Sequence, residues 1–245
     1  MILVTYNLRA GGAGRSHWSK VLDELQPDLF LVQETTAPDT HLPPSRLTKL
    51  SRRIAWTPVN GRRWGSAIYA SHGSARQIEL PDFHGHVVGL DIGRVKRPDR
   101  CREKLMVYSV HAPFRGSYPR AMNEILDMIA AAAVGADVVI GGDFNISTSE
   151  RHHSEERITP KADLAIQRRL KEEFGLMNCW QSANRNVPLA QTLRWTNAPK
   201  TPYHCDGLFV PISWLPSLSR CAALSSAEWN LLSDHSPIVA EFERG

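Results

Sequence analysis

No stretch of this sequence holds the roughly 18 consecutive apolar residues that a membrane-spanning helix requires, which excludes a helical membrane protein. The first residues, Met1-Ile2-Leu3-Val4-Thr5-Tyr6, lack the positive segment and the small-residue cleavage site of a secretory leader. Cysteine is scarce. Cys101, Cys179, Cys205 and Cys221 form no Cys-x-x-Cys pair, and their spacing fits no zinc site. Incidental free thiols suit a reducing compartment, and the expected location is cytoplasmic. No linker, low-complexity tract or fixed-period repeat divides the chain, so one domain spanning residues 1–245 is expected. A strong charge imbalance is also absent: a net charge of +4 is compatible with a polyanionic partner without requiring one. With 42% hydrophobic and 22% charged residues, usage is ordinary for a globular chain long enough to bury a sizeable core.

What is present is an alternation of short apolar runs and amphipathic segments. Residues 2–6 read as a strand, followed by a glycine-rich loop over 7–15 that matches neither the Walker spacing nor G-x-G-x-x-G. Residues 17–26 read as a helix with Trp18, Val21, Leu22 and Leu25 on one face, stopped by Pro27. Residues 29–34 form a buried strand that ends in a carboxylate. A short basic helix over 45–53 and strands over 65–70, 78–80 and 86–92 follow. Residues 94–102 read as a basic hairpin tip, and a strand over 104–110 delivers His111. Ser117 is placed to cap a helix reaching about residue 134, with Ala121, Ile125, Met128, Ile129 and Ala132 inward. Residues 147–159 form a polar loop in which Arg151-His152-His153 read as exposed. Residues 161–174 form a helix with Leu164, Leu170 and Phe174 on its apolar face. Residues 178–186 look irregular, 191–195 and 204–210 are expected to pair as strands, and 238–242 form the last strand. This mixture predicts an α/β fold in which two sheets pack as a sandwich with helices outside.

The organising stretch is Val138-Val139-Ile140-Gly141-Gly142-Asp143-Phe144-Asn145. Three β-branched residues open a buried strand too short for a helix. Two glycines follow, where a bulky side chain would hold backbone or ligand away. In extended backbone, residues two apart share a face, so Asp143 and Asn145 are presented together while Phe144 turns into the core. Asn7, Glu34, His111, Asp206 and the pair Asp234-His235 likewise lie at, just beyond or just before an apolar strand. If two sheets bring these ends to one rim, several carboxylates, two histidines and two amides meet there. Clustered carboxylates repel one another unless a cation is present, and oxygen donors suit a hard ion such as Mg2+ or Mn2+. Two histidines supply an acid and a base near neutral pH. This chemistry fits attack of water on a phosphate ester.

The series Tyr6-Asn7-Leu8-Arg9, Val32-Gln33-Glu34, Gly65-Ser66-Ala67-Ile68, Ser109-Val110-His111-Ala112-Pro113, Gly141-Gly142-Asp143-Phe144-Asn145, Tyr203-His204-Cys205-Asp206 and Ser233-Asp234-His235-Ser236-Pro237 resembles the endonuclease/exonuclease/phosphatase superfamily, whose members include DNase I. Each block is weak alone; Gly-Asp-Phe-Asn with a C-terminal Ser-Asp-His is specific. The resemblance implies a DNase I-like four-layer α/β/β/α fold and a metal-dependent phosphoesterase. It implies that Glu34 binds Mg2+ (or Mn2+), assisted by Asn7 and Asp234. Asp143 and Asn145 would orient the nucleophile and a phosphate oxygen, with Asp143 a candidate base. His235 would touch the scissile phosphate or act as base, oriented by Asp206. His111 is similar to the first histidine of the DNase I and sphingomyelinase branches, an acid or phosphate ligand, and Arg9 to a first-loop arginine near the DNA backbone. Gly207 departs from the aromatic or aliphatic residue usual after the Asp206 position, and Cys205 is unusual beside it; a looser site is expected there.

DNA is the first-choice substrate, on the basic balance, Arg9 and the clusters Arg62-Arg63 and 94–102. Trp64 and Trp195, near arginines, either stack on bases or sugars or pack in the core. The alternative is a phosphatase or phosphodiesterase acting on a lipid head group or small phosphate. No membrane-seeking amphipathic stretch is evident, so no stable membrane association is expected. A monomer is expected.

Overall fold

In the computed structural model, which describes residues 1–12, 16–73, 75–96, 102–151, 158–196, 201 and 203–243, the strands gather into two six-stranded sheets. The first holds β1 (Ile2–Gly11), β2 (Leu29–Thr35), β3 (Ile54–Pro58), β4 (Gly65–Ala70), β11 (Leu218–Ala223) and β12 (Ile238–Phe242), in the order β11-β12-β1-β2-β4-β3. The second holds β5 (Arg76–Ile78), β6 (Val87–Lys96), β7 (Arg102–His111), β8 (Asp137–Asp143), β9 (Leu176–Asn178) and β10 (Asp206–Pro211), in the order β5-β6-β7-β8-β10-β9. The helices are α1 (His17–Lys20), α2 (Pro44–Leu50), α3 (Tyr118–Ala132), α4 (Lys161–Phe174), α5 (Cys179–Ala183) and α6 (Ala227–Leu232). None is long and apolar enough to cross a membrane.

Strand alternation sorts the side chains into layers. Leu29 and Leu31 of β2, Leu105 and Val107 of β7, Val139 of β8 and Leu208 and Val210 of β10 meet between the sheets. Phe30 and Val32 turn outward to Trp18, Val21 and Trp229. Val138 and Ile140 turn outward to Ile125 and Ile129 of α3 and to Ile166 and Leu170 of α4. Helix, sheet, sheet and helix therefore stack as four layers, as expected. Gly141 allows the sheets to close: a Cβ there would lie 2.6 Å from Leu208 Cδ2 and 3.1 Å from Leu31 Cδ2.

Several local expectations are corrected. The helix expected over 17–26 changes from α-helix to a π-helical turn over Val21–Leu25, and closes on Gln26 in the left-handed region before Pro27. Residues 191–195 do not pair with 204–210 as strands. Both hydrogen-bonding edges of β10 are taken, by β8 and β9, and Leu193 makes only single bridges to Tyr203 and His235. The irregular 178–186 contains α5, capped by the Asn178 side chain. On α3 the Ser117 cap is present, Ala121, Ile125 and Ile129 are buried and Met128 and Ala132 pack partly buried against the same cluster, as expected; Met122 and Leu126 are fully buried in addition. The basic hairpin is formed by β6 and β7 with Lys96 opposite Arg102; its tip, 97–101, lies outside the described residues, as do His152 and His153.

Candidate active site

The layer between the sheets is apolar along most of its length and becomes polar at one end. Continuing the inward-facing positions of each strand by twos gives Thr5 and Asn7 on β1, Gln33 on β2, Ser109 and His111 on β7, Asp143 on β8 and Asp206 on β10. Gln33 Nε2 donates across the gap to Ser109 Oγ (2.9 Å), so the sheets are joined by hydrogen bonds just below the rim. Above it, Asn7 Nδ2 donates to Asp143 Oδ2 (3.0 Å) and lies 3.2 Å from Glu34 Oε1. His111 Nε2 stands 3.4 Å from the same Glu34 oxygen, and His235 Nε2 stands 3.8 Å from Asp143 Oδ2. Asp206 holds His235 Nδ1 with both carboxylate oxygens at 3.0 Å. One polar chain thus runs His111–Glu34–Asn7–Asp143–His235–Asp206 across both sheets.

Left-handed backbone turns bring in the remaining groups. Asn145 does not share Asp143's face by strand alternation, as the sequence pattern suggested. The strand ends at Asp143, Asn145 has φ of 52°, and its backbone N–H donates to Asp143 Oδ1 (3.0 Å) while Nδ2 donates to Ala112 O (3.1 Å). Phe144 is buried as expected. Glu34 also has positive φ, 50°, and Oε2 accepts the Ala10 N–H (2.5 Å). Arg9 and Ala10 share this conformation; the Arg9 N–H caps Asn7 Oδ1 (2.9 Å) and its Nε lies 3.2 Å from Asp234 Oδ2. Four non-glycine residues at positive φ around one site hold backbone strain that tertiary hydrogen bonds maintain.

The Ser233–Ser236 turn is braced by Arg194, which the sequence reading passed over. Its guanidinium donates to Ser236 Oγ (2.6 Å), Ser233 O (2.7 Å) and His235 O (2.9 Å). Ser233 Oγ donates to Asn7 O (2.8 Å), tying the turn to β1. An arginine between Leu193 and Trp195 was the available signal. Burial opposes the charged form of His235, but the Asp206 and Asp143 carboxylates, the hydrogen bond to Asp206 and the Asp234 charge outweigh it and raise its pKa to about 10. At neutral pH this imidazole is a cation with Nε2–H facing Asp143.

On the opposite flank, His111 packs against His86 (ring centroids 5.6 Å apart) and Trp64 (5.6 Å). Burial, with the neighbouring His111 and Arg115, lowers the His86 pKa to about 4, so that ring is neutral. Trp64 is half-buried against the His86 and His111 rings, whereas Trp195 is 45% exposed and Phe114, three residues beyond His111, is 68% exposed. Arg62 and Arg63 are exposed. Gly207 does not loosen the site: a Cβ there would meet Thr148 Cβ at 3.0 Å and Phe209 Cε2 at 3.1 Å, and Thr148 Oγ1 secures Asp206 O at 2.9 Å. For a hard cation, the carboxylate oxygens of Glu34 and Asp234 fit in chemistry, whereas Asn7 turns its Nδ2 toward Glu34 and its Oδ1 to the Arg9 N–H. Asp234 Oδ1 is buried with no hydrogen-bond partner among the described residues, an acceptor that a cation would satisfy.

A profile of the endonuclease/exonuclease/phosphatase family matches residues 4–235. Comparison by sequence with curated proteins gives no match. Among solved structures, an AP endonuclease from Archaeoglobus fulgidus aligns with a TM-score of 0.71 at 16% identity, covering 100% of both chains. The 3'-5' exonuclease NExo from Neisseria meningitidis aligns with a TM-score of 0.73 at 16% identity, again over 100% of both. A structure of the 3' phosphatase NExo from Neisseria bound to product DNA hairpin gives 0.73 at 17% identity, with the same coverage. At these identities the likeness establishes the DNase I-like fold.

Proposed function

The chain belongs to the endonuclease/exonuclease/phosphatase family of phosphoric-ester hydrolases, and we propose that within it this protein is a magnesium-dependent nuclease that hydrolyses DNA phosphodiester bonds. The observation that carries the reading is the convergence of His111, Glu34, Asn7, Asp143, His235 and Asp206, each within 3.8 Å of the next, at one end of the two sheets. DNA is supported by the exposed aromatics Phe114 and Trp195, by Arg9, and by the likeness to the 3' phosphatase NExo bound to product DNA hairpin.

In this reading Glu34 and Asp234 would hold Mg2+, with the Asn7 amide positioning Glu34, and the ion would supply neutralisation of phosphate and transition-state charge. Asp143 receives a proton from the attacking water; its carboxylate is aimed by the Asn7 amide and the Asn145 N–H. Asn145 Nδ2 and the cationic Nε2–H of His235 donate to phosphate oxygens. Asp206 keeps the His235 charge in place. His111 donates to the phosphate or the leaving oxygen, and Arg9 approaches the neighbouring backbone phosphate.

The test is nicking of supercoiled plasmid, with and without Mg2+, by the wild type and Glu34→Ala. Metal-dependent nicking lost in the variant is the expected outcome. Hydrolysis of bis-p-nitrophenyl phosphate without nicking would move the substrate to small or lipid phosphoesters. Inertness to both would overturn the reading.

A further inference from the structure

Cys205 is a buried thiol at the site that phosphoester hydrolysis does not use. It precedes Asp206, is 5% exposed, and its Sγ lies 3.7 Å from Asp206 Oδ2. A ligand atom from each of Asp143, Cys205 and His235 lies within 4.8 Å of the others, and among the described residues this is the one such His/Cys/Asp/Glu group. A carboxylate oxygen, a thiol sulfur and an imidazole nitrogen are the donors of a tetrahedral zinc-type site with one position open. They are not a magnesium set, because Mg2+ takes oxygen. His235 is also presented as metal-bound histidines are. Its Nδ1 is held by the two Asp206 oxygens at 3.0 Å, which leaves Nε2 toward Asp143 and fixes the ring from behind.

We propose that Asp143, Cys205 and His235 form an inhibitory site for a thiophilic divalent cation of the zinc, cobalt or cadmium class, separate from the Glu34 side where Mg2+ is held. Ligands of a tetrahedral zinc stand about 3.5 Å apart, a contraction within reach of side-chain rotation. Coordination exchanges the Cys205 S–H proton and the His235 Nε2 proton for bonds to the metal, and both protons pass to solvent. The occupied site takes Asp143 from the water and His235 from the phosphate together. That consequence rests on the proposed nuclease reading; the binding itself does not.

Co2+ is the probe. Added to the metal-free protein with Mg2+ in excess, it is expected to give a sulfur-to-cobalt charge-transfer band in the near ultraviolet and tetrahedral d–d bands in the visible, at one equivalent, displaced by Zn2+. Cys205→Ser should lose the charge-transfer band, whereas Cys221→Ser, altering a buried thiol of β11, should keep it. In the Mg2+-supported assay on bis-p-nitrophenyl phosphate, the Zn2+ concentration for half inhibition should rise by at least about tenfold in Cys205→Ser. A wild-type protein without the charge-transfer band overturns the site whatever the variants do, and so does a band that persists in Cys205→Ser. A protein that binds Co2+ in this way but hydrolyses no phosphoester refutes the nuclease reading and leaves the metal site standing.

Discussion

Replacing Asp206 by Asn asks where the site keeps its proton. The substitution preserves shape and removes the charge that lies 3.0 Å from His235 Nδ1 through both oxygens. At an effective dielectric of about 20, opposite charges 3 Å apart attract by about 5.5 kcal/mol. A pKa raised from 6.5 to about 10 corresponds to a preference for imidazolium of about 5 kcal/mol. Burial works against the charge, so Asp206 supplies the larger part of what offsets it, with Asp143 and Asp234 the remainder. In Asp206→Asn the His235 pKa is expected to fall by about 2 to 3 pH units. Initial rates on bis-p-nitrophenyl phosphate at saturating Mg2+ then separate the roles. If His235 is a cationic donor, the wild type works evenly from pH 6 to about 9. The variant loses about two- to tenfold at pH 8 and recovers it by pH 5.5. The stability effect has the same origin. Because the folded pKa lies above the unfolded value, the contribution is complete below pH 6.5, declines above it, and is gone once the pH passes about 10. The gap in melting temperature between wild type and variant should narrow over that interval. Identical pH–rate profiles for the two proteins, or a wild-type rate rising steeply between pH 6 and 8 as for a neutral base, would refute this account.

Glu34→Ala should abolish Mg2+-dependent nicking while its circular dichroism stays that of the wild type, since Glu34 lies at a strand end outside the apolar clusters. Gly142→Ala should destabilise the protein by about 3 kcal/mol or more in urea unfolding. At φ of 152° a Cβ there would sit 1.8 Å from Val110 O, and an unchanged midpoint would contradict the packing described. Phe114→Ala and Trp195→Ala should each raise the KM for single-stranded DNA by about tenfold, the value of one base stacked on an aromatic ring. Neither should change the rate on bis-p-nitrophenyl phosphate; equal losses on both substrates would assign these side chains to the fold instead.

The layers and most of the site were legible because both follow from a period of two. Once Leu105 and Val107 are placed between the sheets, Ser109 and His111 must follow them to the same face, and the same step carries Val139 to Asp143 and Leu208 back to Asp206. Edge elements escaped. The strand Leu218-Ser219-Arg220-Cys221-Ala222-Ala223 has few β-branched or aromatic residues, and it is a strand because β12 offers it a partner. The three residues of β9 are held in the same way by β10. Arg194 was passed over because its role is three hydrogen bonds to a turn forty residues later, which no local pattern encodes. The left-handed turns escaped for a deeper reason. Glu34 and Asn145 adopt positive φ, where glycine is the economical choice, yet the chemistry needs a carboxylate and an amide there. Local preference and function conflict at those two positions. Contacts distant in sequence settle the conflict: the Ala10 N–H on Glu34 Oε2, and Ala112 O receiving the Asn145 amide. Where local rules fail at polar residues on a strand end while the surrounding strands obey them, the failure itself marks the site.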